Sequence, residues 1–177
     1  MEIGPLYKRK VLLGVSGSIA AYKSAHLVRE LIKWGAEVQV VMTTAAKDFI
    51  TPLTLSTLST RPVYSTFLKE EEEQYGVWNN HVDLGLWADL MLIAPTSSNT
   101  LSKLVTGACD DLLSAVYMSA KCPVYVAPAM DLDMYKNAAT ASNIEVLESR
   151  GVVVLPAEHG ELASGLIGQG RMAEPEA

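Results

Sequence analysis

His81-Val82-Asp83-Leu84-Gly85-Leu86-Trp87-Ala88-Asp89 runs directly into Leu90-Met91-Leu92-Ile93-Ala94 and then into Pro95-Thr96-Ser97-Ser98-Asn99-Thr100. Leu90 to Ala94 is apolar without alternation, as in a strand buried on both faces of a parallel sheet. The nine residues before it form a short helix in which His81, Leu84 and Ala88 share a face and Trp87 lies close by. The six after it make a hydroxyl-rich loop. Ligands of open parallel sheets sit at the carboxyl ends of the strands. The stretch therefore predicts that a proton-transferring imidazole and a phosphate-friendly loop come to one place.

The same alternation extends in both directions. Strands are predicted at Lys10–Val15, Glu37–Met42, Pro123–Ala127 and Val152–Leu155. Helices are predicted from about Ala20 to Trp34, from Ala45, from Thr51-Pro52 through Leu58, near Thr100–Val105, over Leu112–Ala120, and from Leu132 to Arg150. Gly35 and Gly151 sit where helix C-caps belong. Repeated strand–helix units imply an α/β fold, a doubly wound parallel sheet with helices on both faces. Tyr64 to Asn80 is irregular, and its acidic run Glu70-Glu71-Glu72-Glu73 reads as a solvated loop. The tail from Pro156 is glycine-rich and aperiodic, compatible with a mobile flap over the site or with a disordered end.

The 177 residues, 49% of them hydrophobic, suit one domain with a sizeable core. A net charge of −6 argues against nucleic-acid or anionic-membrane partners. Two cysteines, no signal peptide and no apolar run of spanning length lead us to expect a cytoplasmic protein. The end at Glu174-Pro175-Glu176-Ala177 is either a natural terminus or the cut end of a longer polypeptide.

Three loops at strand ends carry hydroxyls: Ser16-Gly17-Ser18, Thr43-Thr44 and Ser97-Ser98-Asn99-Thr100. Singly, each is an ordinary helix cap. Together they favour a mononucleotide gripped by backbone N–H groups and hydroxyls. The first loop has neither dinucleotide-binding nor P-loop spacing. His81 can act as acid or base near neutrality. Asp131 and Asp133, after Pro128-Ala129-Met130, suit a helix N-terminus. No metal-ligand spacing is present.

These segments resemble the flavin-dependent cysteine decarboxylases, in particular the phosphopantothenoylcysteine decarboxylases. The resemblance spans Lys10 to Glu176 and rests on five motifs: Val15-Ser-Gly-Ser-Ile-Ala-Ala-Tyr-Lys23, His81-x-x-Leu-x-x-Trp-Ala-Asp89, Pro95-x-Ser-x-Asn-Thr100, Pro128-Ala-Met130 and Gly168-Gln-Gly-Arg-Met172. It implies a Rossmann-like, three-layer αβα flavoprotein with a single FMN-binding decarboxylase domain over 1–177. It also implies a trimer or dodecamer with the flavin near a subunit interface. FMN would be held by Gly17, Ser18, Thr43, Ser97, Ser98, Asn99 and Thr100, and substrate by Ala129, Met130 and Asp131. His81, Asp131 and Ser164 would fall at the catalytic positions. The implied reaction oxidises a C-terminal cysteine unit, releases CO2 to leave an enethiol, and reduces that to 4'-phosphopantetheine for coenzyme A.

Two residues depart from the family pattern. Asp131 replaces an asparagine that contacts the substrate carboxylate, and Ser164 replaces a catalytic cysteine of the glycine-rich flap. A thiol titrates near 8.5 and a hydroxyl far higher, so Ser164 is the poorer proton donor. Neither Cys109 nor Cys122 lies in the matching motif. The departures leave three outcomes: full turnover with adjusted residues, a halt at the enethiol as in the peptidyl-cysteine decarboxylases, or a non-catalytic regulatory flavoprotein. The intact Gly168–Met172 segment favours the first. The His81 motif argues against a flavin-prenylating relative.

Overall fold

A computed structural model describes residues 4–68 and 78–177. The acidic run Glu70–Glu73 lies outside the described residues. Strands β1 (Lys10–Val15), β2 (Glu37–Met42), β3 (Leu90–Thr96), β4 (Val124–Pro128) and β5 (Val153–Val154) form one sheet in the order β2-β1-β3-β4-β5. All four pairings are parallel. The order reverses between β1 and β3, and such a switch point leaves a crevice at the strand ends.

Helices α1 (Lys23–Lys33) and α2 (Pro52–Ser59) cover one face. The other face carries α3 (His81–Trp87), α4 (Ser98–Thr106), α5 (Leu112–Ser119) and α7 (Ala138–Ser149), with the short α6 (Leu132–Lys136) between β4 and α7. Side chains along a strand alternate between faces. Accordingly Val11, Leu13 and Val15 join Val28 and Leu31 of α1, while Leu12, Met91 and Ile93 join Leu104, Leu113 and Leu147. This is the expected three-layer doubly wound fold. Among the described residues no helix is long and apolar enough to cross a membrane.

Four expectations need correction. The helix expected from Ala45 is only a 3-10 turn, Thr44–Asp48. The first helix does not begin at Ala20: a 3-10 turn, Ile19–Tyr22, precedes α1. The helix expected over Leu132–Arg150 is broken at Asn137, whose extended backbone (φ −61°, ψ 138°) ends α6 while its side chain accepts from Ala139 N and caps α7. An asparagine side chain competes with helical hydrogen bonding in this way. The glycine-rich tail is neither aperiodic nor a disordered end. Strands β6 (Glu158–Glu161) and β7 (Ile167–Arg171) pair antiparallel as a hairpin. At the close of α1, Gly35 takes φ +93° as a C-cap glycine should.

Gly14, at the centre of the sheet, leaves room for α5: a Cβ there would stand 2.6 Å from Leu113 Cδ1. Leu113 is fully buried. Leu113→Ala should cost about 2–5 kcal/mol in denaturant unfolding. A loss below about 1 kcal/mol would contradict the packing described here.

Candidate active site

The loops after β1 and β3 are joined through Ser16, whose backbone N–H donates to the Pro95 carbonyl at 3.3 Å. Ser16 is fully buried, and its Oγ donates to the Pro95 carbonyl at 2.7 Å while accepting from Ser97 N at 2.7 Å. It uses both roles open to a hydroxyl. Gly17 packs so closely on the turn after β2 that a Cβ would lie 2.7 Å from Ala45 Cβ. Each hydroxyl loop also caps a helix or turn. Ser18 Oγ accepts from Ala20 N, Thr43 Oγ1 from Ala46 N, and Ser97 Oγ from Thr100 N at the start of α4. Asp131 does the same for α6, its Oδ1 accepting from Leu132 N at 2.7 Å.

The hairpin lies against the loop after β4. Met130 N donates to the Gly170 carbonyl at 3.1 Å. A Cβ at Gly170 would overlap the Met130 carbonyl oxygen, and one at Gly168 would overlap Leu132 Cδ1. These two glycines are therefore packing requirements of the contact.

Between these parts is a cavity of about 630 Å³. Gly17, Ser18, Ile19, Tyr22 and Lys23 line it after β1, Ser97 and Ser98 after β3, and Ala129, Met130, Asp131 and Met134 after β4. Glu161, Leu162, Ala163, Gly170, Arg171 and Met172 come from the hairpin and the residue after it. Seven expected site residues thus share one cavity: Gly17, Ser18, Ser97, Ser98, Ala129, Met130 and Asp131.

The others do not line it. Thr43 is buried as a cap and Thr100 is buried in the first turn of α4, Asn99 is exposed on α4, and Ser164 is exposed at the hairpin turn beside the lining Ala163. His81, contrary to expectation, stands outside its own chain's cavity. It meets the rings of Phe67 and Trp78 edge-on, with centroids 6.3 and 5.4 Å away, and its buried Nδ1 has no hydrogen-bond partner among the described residues. Sequence order placed it next to β3 but gave no lateral position. Cys109 and Cys122 are also absent from the lining; burial pushes the Cys122 thiol up.

Sequence reasoning missed the electrostatics. Lys23 is 5% exposed, and its Nζ donates to the Met172 carbonyl at 2.9 Å and to Glu174 Oε1 at 2.8 Å. Arg171 donates to the same Glu174 oxygen at 3.0 Å. The hydrogen bond from Lys23 is the main reason the Glu174 carboxyl titrates below its usual range, with Arg171 adding to it. Lys23 and Arg171 each belong to a motif quoted above, but nothing in the sequence paired them with Glu174. Among the described residues, no group of three or more His, Cys, Asp or Glu is arranged to hold a metal ion.

The family profile described as Flavoprotein matches residues 3–177. The chain belongs to the flavoprotein family. It is 47% identical over 167 residues to the coenzyme A biosynthesis bifunctional protein CoaBC of Vibrio vulnificus, covering 94% of this chain and 41% of that protein. It is 54% identical over 127 residues to a cysteine/cysteine sulfinic acid decarboxylase from an unknown prokaryotic organism, covering 72% and 34%. The chain thus spans between a third and two-fifths of the length of these relatives. Among solved structures, it superposes on a cysteine-to-serine mutant of PPC decarboxylase complexed with pantothenoylaminoethenethiol, at TM-score 0.84 and 37% identity over 96% of this chain and 93% of that one. The FMN binding protein AtHal3 matches at TM-score 0.81 and 36% identity, over 96% and 91%.

Ser16→Ala would leave the Ser97 N–H and the Pro95 carbonyl without their shared partner. It should cost about 1–3 kcal/mol by thermal or denaturant unfolding. The Glu174 contacts should make stability pH-dependent. With its folded value depressed, Glu174 contributes fully above the ordinary glutamate range near 4.3 and loses that contribution as pH falls through the folded value. Melting temperatures from pH 7 down to 3 should therefore fall less steeply for Glu174→Gln than for the parent, and parallel curves would refute the coupling.

Proposed function

We propose that this chain is an FMN-dependent carboxy-lyase, a carbon–carbon lyase that decarboxylates 4'-phosphopantothenoylcysteine to 4'-phosphopantetheine in coenzyme A biosynthesis. The proposal covers a single FMN-binding decarboxylase domain over 1–177, acting in the cytoplasm. The observation that carries it is the cavity itself, where the Ser18, Ser97–Ser98 and Pro128–Met130 motifs meet the Gly168–Met172 hairpin. The resemblance to CoaBC and to PPC decarboxylase adds the chemistry.

The residues present fit FMN. The N-terminus of α4 and the Ser18, Ser97 and Ser98 hydroxyls offer phosphate donors, favoured by the helix dipole. Ile19, Ala129, Met130, Met134 and Leu162 provide apolar wall for a ring system. A cavity of about 630 Å³ falls in the range of cofactor sites. Thr43 and Thr100, both buried, would act behind this surface, holding the loops, while Asn99 would approach FMN from the exposed start of α4. FMN supplies the capacity to take an electron pair from the thiol-bearing carbon and to return it. The protein orients the cysteine unit, excludes water and moves protons. The hairpin covers the cavity, Ala129 and Met130 form the wall beside the substrate, and His81 serves as acid or base.

His81 reaches a cavity only if a second copy brings it there. This supports the homo-oligomer, trimer or dodecamer, that the resemblance implies. Exposed Ile19 and Tyr22 at the cavity, and exposed Val82 and Leu86 beside His81, provide apolar surface for such contacts. A second reading is a decarboxylase of free or peptidyl cysteine, favoured by the relative with 54% identity.

Mass spectrometry after incubation of the FMN-loaded protein with 4'-phosphopantothenoylcysteine should show loss of CO2 alone. Loss of CO2 plus two hydrogens would mark a halt at the enethiol, and unchanged substrate would leave a regulatory flavoprotein. His81→Asn should abolish turnover and retain flavin absorbance. Light scattering should report a trimer or a dodecamer; full turnover by a monomer would remove the shared-site account.

A further inference from the structure

Four charged side chains line the cavity: Lys23, Asp131, Glu161 and Arg171. Lys23 and Arg171 are both engaged by Glu174. Glu161 is exposed on the hairpin. Asp131 is different: it is partly buried, Oδ1 accepts from Leu132 N, and neither carboxyl oxygen has an ion-pair partner among the described residues. No cysteine lines the cavity, and Ser164, where the family pattern has one, is exposed at the hairpin turn.

Decarboxylation followed by reduction consumes a proton, because the carbon that loses CO2 must gain hydrogen. We propose that Asp131 delivers this proton to the substrate carbon, so that the acid has moved from the hairpin to the loop after β4. This rests on the decarboxylase function proposed above. The placement is direct, since the Met130 N–H to Gly170 carbonyl bond holds the Asp131 loop and the hairpin together as one wall.

The chemistry turns the two departures from the family pattern into one exchange. Two ionised carboxylates would repel each other here, and one proton shared between the entering carboxylate and Asp131, as in paired carboxyl groups, would remove that repulsion. The substrate thiol is first oxidised to a thioaldehyde. The bond to the carboxylate then breaks, CO2 leaves, and its electron pair forms the carbon–carbon double bond of an enethiolate. The Asp131 O–H bond breaks, a C–H bond forms at the carbon that held CO2, and a thioaldehyde results. The electron pair removed in the first oxidation returns to the sulfur-bearing carbon together with the hydrogen that left with it, the sulfur regains the proton it lost, and solvent reprotonates Asp131. One proton is consumed, one CO2 is released, and no outside oxidant or reductant is needed.

The FMN-loaded protein, Asp131→Asn, and the double variant Asp131→Asn with Ser164→Cys would be given 4'-phosphopantothenoylcysteine, with CO2 and products quantified by mass spectrometry. Asp131→Asn should still release CO2 but accumulate the enethiol, its rate of saturated-thiol formation falling about 100-fold or more. The double variant, which restores the family's asparagine and cysteine, should recover the saturated thiol. Flavin absorbance equal to the parent's verifies folding. Saturated product formed by Asp131→Asn at the parent rate overturns the proposal, as does a double variant that stays at the enethiol. Enethiol from the parent itself sinks the Asp131 role while sparing decarboxylation; unchanged substrate with the parent sinks both.

Discussion

One buried hydroxyl holds the site in register. Ser16 closes the gap between the loops after β1 and β3, at the point where the strand order turns back on itself. At such a point the chain leaves the sheet in two directions, and the backbone adds a single longer bond between the two loops, Ser16 N to the Pro95 carbonyl at 3.3 Å. A side chain that both donates and accepts reinforces that link without a charge. The start of α4 and the first turn after β1 both depend on it. So does the mouth of the cavity.

The fold was legible where burial leaves little choice. Runs such as Leu90–Ala94, apolar on both sides, describe a sheet covered twice, and hydroxyl residues after each strand describe helix starts. What escaped reading is instructive. At Asn137 a side chain of weak helix preference competes with the backbone, and periodicity cannot weigh a single residue against a long pattern. In the tail, strand alternation was hidden because Gly168 and Gly170 give up side chains to let Met130 and Leu132 come close. A contact between segments about 40 residues apart therefore looked like absence of structure.

The site was legible in its motifs and opaque in its electrostatics. The Ser18, Ser97–Ser98 and Ala129–Asp131 segments converge as their positions at strand ends require. His81 does not, because its place in the chain says which strand it precedes and nothing about which cavity it serves. The Lys23, Arg171 and Glu174 arrangement was beyond sequence reading, since it depends on two cations meeting one carboxylate oxygen from opposite ends of the chain. The result is a cavity whose cations are already satisfied, leaving Asp131 as its free, partly buried charge.

The Lys23–Glu174 contact joins residues 151 apart in the chain. Closing a loop of that length carries an entropy cost that the contact must offset. During synthesis from the amino terminus, the sheet and the first hydroxyl loop can assemble while Lys23 still has no partner. The cavity lining is complete only after Met172 has emerged, and the Lys23 ion pair only after Glu174. Premature binding at a half-built site is therefore disfavoured by the order of synthesis, and competence to bind marks a chain whose first loop has met its hairpin.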